Sequence, residues 1–177
     1  GTGVGGYFSE GDEPVLSLAL GAPTWAETLI HEFAHLTQWA NQSDCWTSGT
    51  LHDGTDAGTL IDYWYAGHIE LSAEQQTRYF SSLIWVEIDA ERRAVKMIKK
   101  HKIPIDVKLY CQRANAYVMG YHEFRRRRSW SIPGKAPYLI DDLVNAMPTN
   151  LNTLDYYDKR IVTPKIRKLY DSSFMEE

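Results

Sequence analysis

The chain has 177 residues, the length of a single domain. Its composition, with 44% hydrophobic and 24% charged residues, excludes a disordered or fibrous polypeptide. No apolar run reaches the ~20 residues of a membrane-spanning helix, and the first residues carry no secretory signal, so we expect a cytoplasmic location and no membrane partner. Two cysteines are too few for a disulfide scaffold, although a Cys45–Cys111 bridge stays open.

The first predicted elements are a lead-in, a strand and a helix. The glycine-rich start, within residues 1–13, is expected to be a flexible lead-in. Pro14–Leu20 is rich in Val and Leu and predicts a short strand. Thr24 and Glu27 form a capping-box pattern, which predicts a helix over Trp25–Ala40.

Helices dominate the rest of the chain. The predicted elements are a long loop over 41–71 with a short element near Leu60–Tyr65, a helix over Ala73–Lys102, a helix from Asp106 to about Arg127, a turn over Ser131–Pro137 and a short helix near Tyr138–Ala146. Ser72 with Gln75 repeats the capping-box pattern, Pro104 ends the longest helix, and Asp106 can cap the helix that follows. Residues 149–177 are predicted to be a loosely packed tail. The sequence thus predicts one α+β domain over residues 1–177, predominantly helical, with a short β edge at its start.

The sequence His31-Glu32-Phe33-Ala34-His35 is an HExxH motif inside the first predicted helix. Residues four apart on a helix share a face, so both imidazoles can bind one metal ion. Glu32 lies about 100° around the helix, where its carboxylate can address a metal-bound water without being a ligand. A purely structural role for the two histidines is the alternative.

A second pattern lies on the long predicted helix, where Glu87 and Glu91 fall on the apolar side. Catalytic zinc needs a third protein ligand and one open coordination position. Two buried carboxylates are costly unless a charged group compensates them, and a zinc ion with its histidines would do so. Glu87 is therefore the predicted third ligand. An ion pair with Arg92 or Arg93, or a helix that is less buried than its apolar pattern suggests, is the alternative explanation for these carboxylates.

Together the two patterns resemble those of the gluzincin zinc metallopeptidases, the thermolysin-like arrangement. In several gluzincin families the second motif reads ExEADR, and residues 87–92 read EIDAER. The resemblance implies a minimal zincin-like domain, in which the active-site helix packs on a second long helix that carries Glu87 as the third ligand. It places Glu91 where these families usually have an Asp bound to the first histidine's other ring nitrogen. Because Glu is one methylene longer, either a different contact with His31 or an approach to the metal stays open.

The wider pattern is similar to uncharacterised HExxH proteins of tailed bacteriophages. The shared features are Trp39, the sequence EIDAERR, the segment Arg113–Tyr117 and Tyr121. The likeness extends over about residues 25–148. It implies the host cytoplasm or the virion as the location, and it supplies no substrate.

The implied reaction is hydrolysis of peptide bonds in a peptide or protein substrate, by a water that one Zn²⁺ ion activates. Glu32 is its expected general base. Tyr117 and Tyr121, four apart on the third helix, are the predicted oxyanion donors, and His122 is a third candidate. Core tyrosines with wet hydroxyls are the alternative. The segment Tyr7–Leu20 is predicted to flank the cleft and pair with an extended peptide, or else to be a plain structural hairpin.

Charge is distributed unevenly along the chain. Residues 91–128 hold twelve basic and three acidic residues, a local charge of +9, whereas the remainder carries −13. Solvated helix faces are the expected explanation, since Lys99 and Lys100 flank an apolar stripe and cations near a helix end suit the helix dipole. Nucleic-acid binding, as in a DNA- or RNA-associated protease of the SprT-like kind, is the alternative, because clustered Lys and Arg neutralise phosphates.

Another class of function stays open, a non-catalytic module in which zinc stabilises the domain for assembly, for example within a virion. Peptide deformylases also carry HExxH, but their third ligand is an upstream Cys, and no Cys precedes His31. The identity of the substrate and the oligomeric state stay open.

Overall fold

The computed structural model describes residues 5–51, 53–159 and 163–174. Its elements are the strands β1 (Gly6–Ser9) and β2 (Val15–Leu18), the helices α1 (Trp25–Ala40), α2 (Asp44–Thr47), α3 (Ala57–Tyr65), α4 (Ala73–His101), α5 (Val107–Arg127), α6 (Asp141–Asn145), α7 (Leu154–Lys159) and α8 (Pro164–Phe174), and a 3₁₀ turn at Pro137–Leu139. The two strands pair antiparallel. The predominantly helical α+β fold predicted from the sequence is confirmed. Within the described ranges, no helix is both long enough and apolar enough to cross a membrane.

Two clusters of buried apolar side chains form the core where α4 packs against α1 and α5. The larger cluster includes Ile88 of α4 and Phe124 of α5. The smaller one joins Ile30 of α1 to Ala94 of α4. Along α4 the first cluster ends at Ile88 and the second begins at Ala94, so the boundary falls at the turn that carries Glu91.

The helix starts test the predicted caps. At α4, Ser72 and Gln75 form the predicted capping box, in which each side chain accepts a hydrogen bond from the other residue's backbone N–H. At α5, Asp106 accepts hydrogen bonds from two backbone N–H groups of the first turn, as predicted. At α1 the prediction is wrong, because the Thr24 side chain makes no capping hydrogen bond. Glu27 is instead paired with a guanidinium group of α5.

Part of the predicted lead-in forms β1. A Cβ atom on Gly6 would lie 2.8 Å from both the Ser17 carbonyl oxygen and Thr28 Cγ2, so only glycine lets the hairpin approach α1 this closely. Glycine therefore serves close packing here, and the prediction of a flexible lead-in is wrong for Gly6–Ser9.

The predicted loose tail is also wrong for much of its length. Tyr157 and Tyr170 are fully buried. The Tyr157 hydroxyl donates to Asn115 Oδ1 at 2.6 Å, and the Tyr170 hydroxyl donates to the Ala116 carbonyl oxygen at 2.7 Å. Two large rings with satisfied hydroxyls thus fix α7 and α8 on α5. Outside the described residues lie residues 1–4 of the lead-in and residues 160–162 and 175–177 of the tail.

The predicted long loop over 41–71 contains two helices, α2 and α3. Helix α3 covers the short element expected there, and the Asp56 carboxylate caps it by accepting from the Thr59 backbone N–H. Helix α2 buries Cys45. Cys45 and Cys111 are both free thiols, so a disulfide between them is excluded.

Candidate metal centre

Helices α1 and α4 bring the three predicted metal ligands together. His31 and His35 lie one turn apart on α1, and their Nε2 atoms are 3.1 Å apart. Glu87 Oε2 on α4 lies 3.4 Å from His31 Nε2 and 3.6 Å from His35 Nε2. These three side chains form a group that can hold a metal ion.

The spacing of the donor atoms fits a four-coordinate cation. Bonds of about 2.0–2.2 Å to nitrogen and oxygen place two ligands of a tetrahedral ion about 3.3–3.6 Å apart. The measured distances of 3.1, 3.4 and 3.6 Å lie in or close to this range. Glu87 Oε2 is buried and has no hydrogen-bond partner among the described residues. Because an unpartnered buried carboxylate oxygen is costly, a cation at this point would satisfy it.

Gln38 determines the tautomer of His35. It is fully buried, and its Nε2 donates to the Val86 carbonyl oxygen at 2.8 Å and to Asp89 Oδ2 at 2.9 Å. Its Oε1 therefore faces His35 Nδ1, at 2.8 Å. Because that oxygen can only accept, the network places the His35 proton on Nδ1 and leaves Nε2 free for a metal ion. Sequence reasoning missed Gln38, whose one signal is its place a turn after His35 on the same helix face.

Glu91 lies beside the other histidine. Its Oε1 is 3.1 Å from His31 Nδ1, and its Oε2 accepts a hydrogen bond from the Tyr110 hydroxyl at 2.5 Å. One carboxylate oxygen is thus used by Tyr110 and the other lies against His31, and Glu91 is outside the group of metal-binding donors. A carboxylate at this nitrogen orients the imidazole and makes it a better ligand. Tyr110 was not predicted, because only the packing of α5 on α4 brings it to Glu91.

Arg92 and Arg93 do not compensate the buried carboxylates. Arg92 donates to the Asn152 carbonyl oxygen, and Arg93 Nε donates to Asp89 Oδ2 at 2.6 Å. The alternative of an ion pair between these arginines and Glu87 is therefore wrong. The groups that face Glu87 Oε2 are the two imidazoles.

Glu32 lines the same cleft as His31. Its side chain is buried, and its carboxylate lies close to the backbone of Phe8 in β1. Burial raises the pKa of the Glu32 carboxyl above its ordinary value, against the opposing charges of the two histidines. Glu32 is thus a cleft carboxylate with a raised pKa, which can exchange a proton with a water bound there.

The predicted oxyanion donors Tyr117 and Tyr121 lie next to Glu87. The Tyr121 hydroxyl donates to Glu87 Oε1 at 3.0 Å, and the two phenol oxygens are 3.0 Å apart. Since Tyr121 gives its only proton to Glu87, Tyr117 is the donor in the second bond. Burial, and then the Glu87 charge, raise the pKa of both phenols well above the ordinary value. His122 is not brought to the site, because its Nε2 lies 2.6 Å from the Tyr157 carbonyl oxygen.

The cleft beside the metal group has a volume of about 260 Å³. Its lining includes His31, Glu32, Tyr117, Gly6, Arg113 and Tyr138. A Cβ on Gly120 of α5 would lie 3.4 Å from Pro137 Cγ, so this glycine allows the 3₁₀ turn to sit close against α5. That approach brings Tyr138 to the cleft. Sequence reasoning missed Tyr138, because nothing in the local pattern relates it to the HExxH helix.

The fold and the site define a class of centre, in which one His/His/Glu group lies between two packed helices of a predominantly helical α+β domain. Comparisons of the chain with known protein families, curated proteins and solved structures give no match. The chemistry of the centre therefore has to be inferred from its own donor atoms, their hydrogen-bond partners and the cleft.

Proposed function

We propose that the protein is a zinc-dependent peptidase in which His31, His35 and Glu87 hold one Zn²⁺ ion. The observation that carries this proposal is the convergence of these three donors, with Glu32 in the cleft beside them. Two imidazoles, one carboxylate and near-tetrahedral spacing suit zinc, whereas Mg²⁺ and Ca²⁺ take oxygen ligands. When bound, zinc lowers the pKa of water toward about 7 and polarises a carbonyl group.

Glu32 is the general base and acid in this proposal. Its carboxylate accepts a proton from the attacking water and returns it to the leaving amide nitrogen. The nearby backbone of Phe8 favours the charged form of this carboxylate. A peptide substrate lies extended beside β1, because Gly6 of this strand lines the cleft.

Tyr138 is the oxyanion donor that the geometry favours. In their present contacts, Tyr117 and Tyr121 use their hydroxyl protons on each other and on Glu87, so they orient the third ligand. The Tyr138 hydroxyl donates to no group in the part of the chain that the structure describes. Tyr138 lines the cleft together with His31 and Glu32, and burial raises the pKa of its phenol.

Replacing Tyr138 by Phe is expected to lower kcat by about 10²–10³-fold with zinc content unchanged, because a preorganised donor to the oxyanion is lost. Steady-state kinetics on one cleavable peptide measures this, and Tyr63→Phe at an exposed tyrosine is the control. An unchanged kcat for Tyr138→Phe, together with a loss for Tyr117→Phe, would return the role to Tyr117.

Cleavage of an unbiased peptide library tests the proposed activity. The zinc-loaded chain is incubated with peptides derived from a whole proteome, and new termini are identified by mass spectrometry. We expect cleavage that stops when a chelator removes zinc and returns when zinc is restored. A chain that holds one zinc ion and cleaves nothing would contradict the proposal and favour a non-catalytic, zinc-stabilised assembly module.

A further inference from the structure

The basic residues of the segment 91–128 fall into two groups in the structure. All seven arginines donate hydrogen bonds to acceptors of the chain itself, on carboxylates, hydroxyls or backbone carbonyls. These residues are Arg92, Arg93, Arg113, Arg125, Arg126, Arg127 and Arg128. The arginines therefore stabilise the fold, and most of the free positive charge belongs to the lysines.

The five lysines of the segment lie where α4 ends and α5 begins. We call them the lysine patch, and they are Lys96, Lys99, Lys100, Lys102 and Lys108. All five are exposed, and none forms an ion pair with a carboxylate of the described residues. Asp106 is the one acidic residue between 96 and 108, and its carboxylate caps α5. The patch is thus a concentrated, uncompensated positive surface.

We propose that the lysine patch binds the phosphate backbone of double-stranded nucleic acid. Five ammonium groups lie on the end of α4, the connecting turn and the start of α5. They match a polyanion with closely spaced charges, and each contact with a phosphate releases counterions. The patch contains no aromatic residue on which bases could stack, so single strands gain nothing over a duplex. The patch contains no Arg, Asn or Gln, whose planar groups form paired hydrogen bonds with base edges. The proposed binding is therefore independent of the base sequence.

An anionic membrane is the less suitable partner. Binding at a lipid surface combines basic charge with apolar side chains that enter the acyl boundary. None of the exposed large apolar side chains of the described residues lies between 96 and 108. Ile103 and Ile105 of the connecting turn are partly buried and pack against the smaller core cluster.

Fluorescence anisotropy with a labelled, mixed-sequence duplex tests the proposal on the full zinc-loaded chain. Affinity is expected to fall roughly 500-fold between 50 and 200 mM salt if all five lysines contact phosphates. The double variant Lys96→Glu/Lys100→Glu is expected to bind at least tenfold more weakly, with a salt slope smaller by about two. The matched control, Lys165→Glu/Lys168→Glu on exposed positions of α8, makes the same change in net charge and is expected to lose less than threefold.

Three results would overturn the proposal. One is absence of duplex binding at 50 mM salt. Another is an equal loss of affinity in both double variants, which would show that net charge alone causes the loss. The third is tighter binding to single strands or to vesicles that contain phosphatidylserine than to the duplex. Since these measurements need no peptidase activity, they are independent of the proposed function.

Discussion

Replacing Glu32 by Gln is expected to lower the rate of peptide hydrolysis by about 10²–10⁴-fold, with zinc content and zinc affinity unchanged. The amide has nearly the shape of the carboxylate, so the local structure is preserved. It cannot accept a proton from water, and the chemical step therefore loses its base. Single-turnover cleavage of one library-derived peptide, with metal analysis of the same sample, measures both quantities.

The matched control for this variant is Glu13→Gln, at an exposed glutamate outside the cleft. It removes the same charge and is expected to leave kcat within a factor of about two, as is usual for substitutions away from a reacting centre. Wild-type activity in Glu32→Gln would show that Glu32 is not the base. Loss of zinc from Glu32→Gln would show instead that its carboxylate belongs to the metal group.

Zinc is expected to raise the melting temperature of the chain, and loss of a ligand is expected to abolish this response. A metal ion present at 100 times its Kd adds about 2.7 kcal/mol to the free energy of unfolding. For a chain of this size, that free energy corresponds to a shift of about 5–10 °C. Glu87→Ala and His35→Ala remove ligands, so zinc is expected to leave their melting temperatures unchanged, and calorimetry with and without zinc measures this.

His101→Ala, at an exposed histidine near the end of α4, is the control and is expected to keep the full zinc response. Gln38→Met provides an intermediate case, because it removes the acceptor at His35 Nδ1 while leaving all three ligands in place. Its zinc affinity is expected to be about 10–100-fold weaker. A full zinc response in Glu87→Ala would exclude Glu87 as a ligand, and iron rather than zinc in the purified chain would contradict the proposed metal.

The parts of the structure that follow from local sequence are the ones the sequence predicts well. The capping residues Ser72 and Asp106 place the starts of α4 and α5, because a side-chain cap acts within one turn. The metal group is predictable for a similar reason. Two ligands are one helical turn apart, and Glu87, like Glu91, is an acidic residue on a face that is otherwise apolar.

The parts that escape prediction depend on contacts between distant segments. Tyr110 and Tyr138 reach the site only because α5 and the 3₁₀ turn pack where they do. Gly6 lies in a glycine-rich segment whose composition predicts flexibility. Its missing side chain is nevertheless what allows the hairpin to pack on α1. Tyr157 in the tail looks unpatterned in sequence, because its partners lie on other elements.

Helix α4 is continuous from Ala73 to His101, so it fixes the distances between the side chains along it. At 1.5 Å per residue, Glu87 and Lys96 are separated by about 14 Å along the axis, roughly four base pairs of a duplex. No hinge interrupts this span of α4, so the distance between the metal group and the lysine patch is set by geometry alone. A duplex held at the patch would keep the cleft within reach of proteins bound to the same stretch of nucleic acid, without any domain movement.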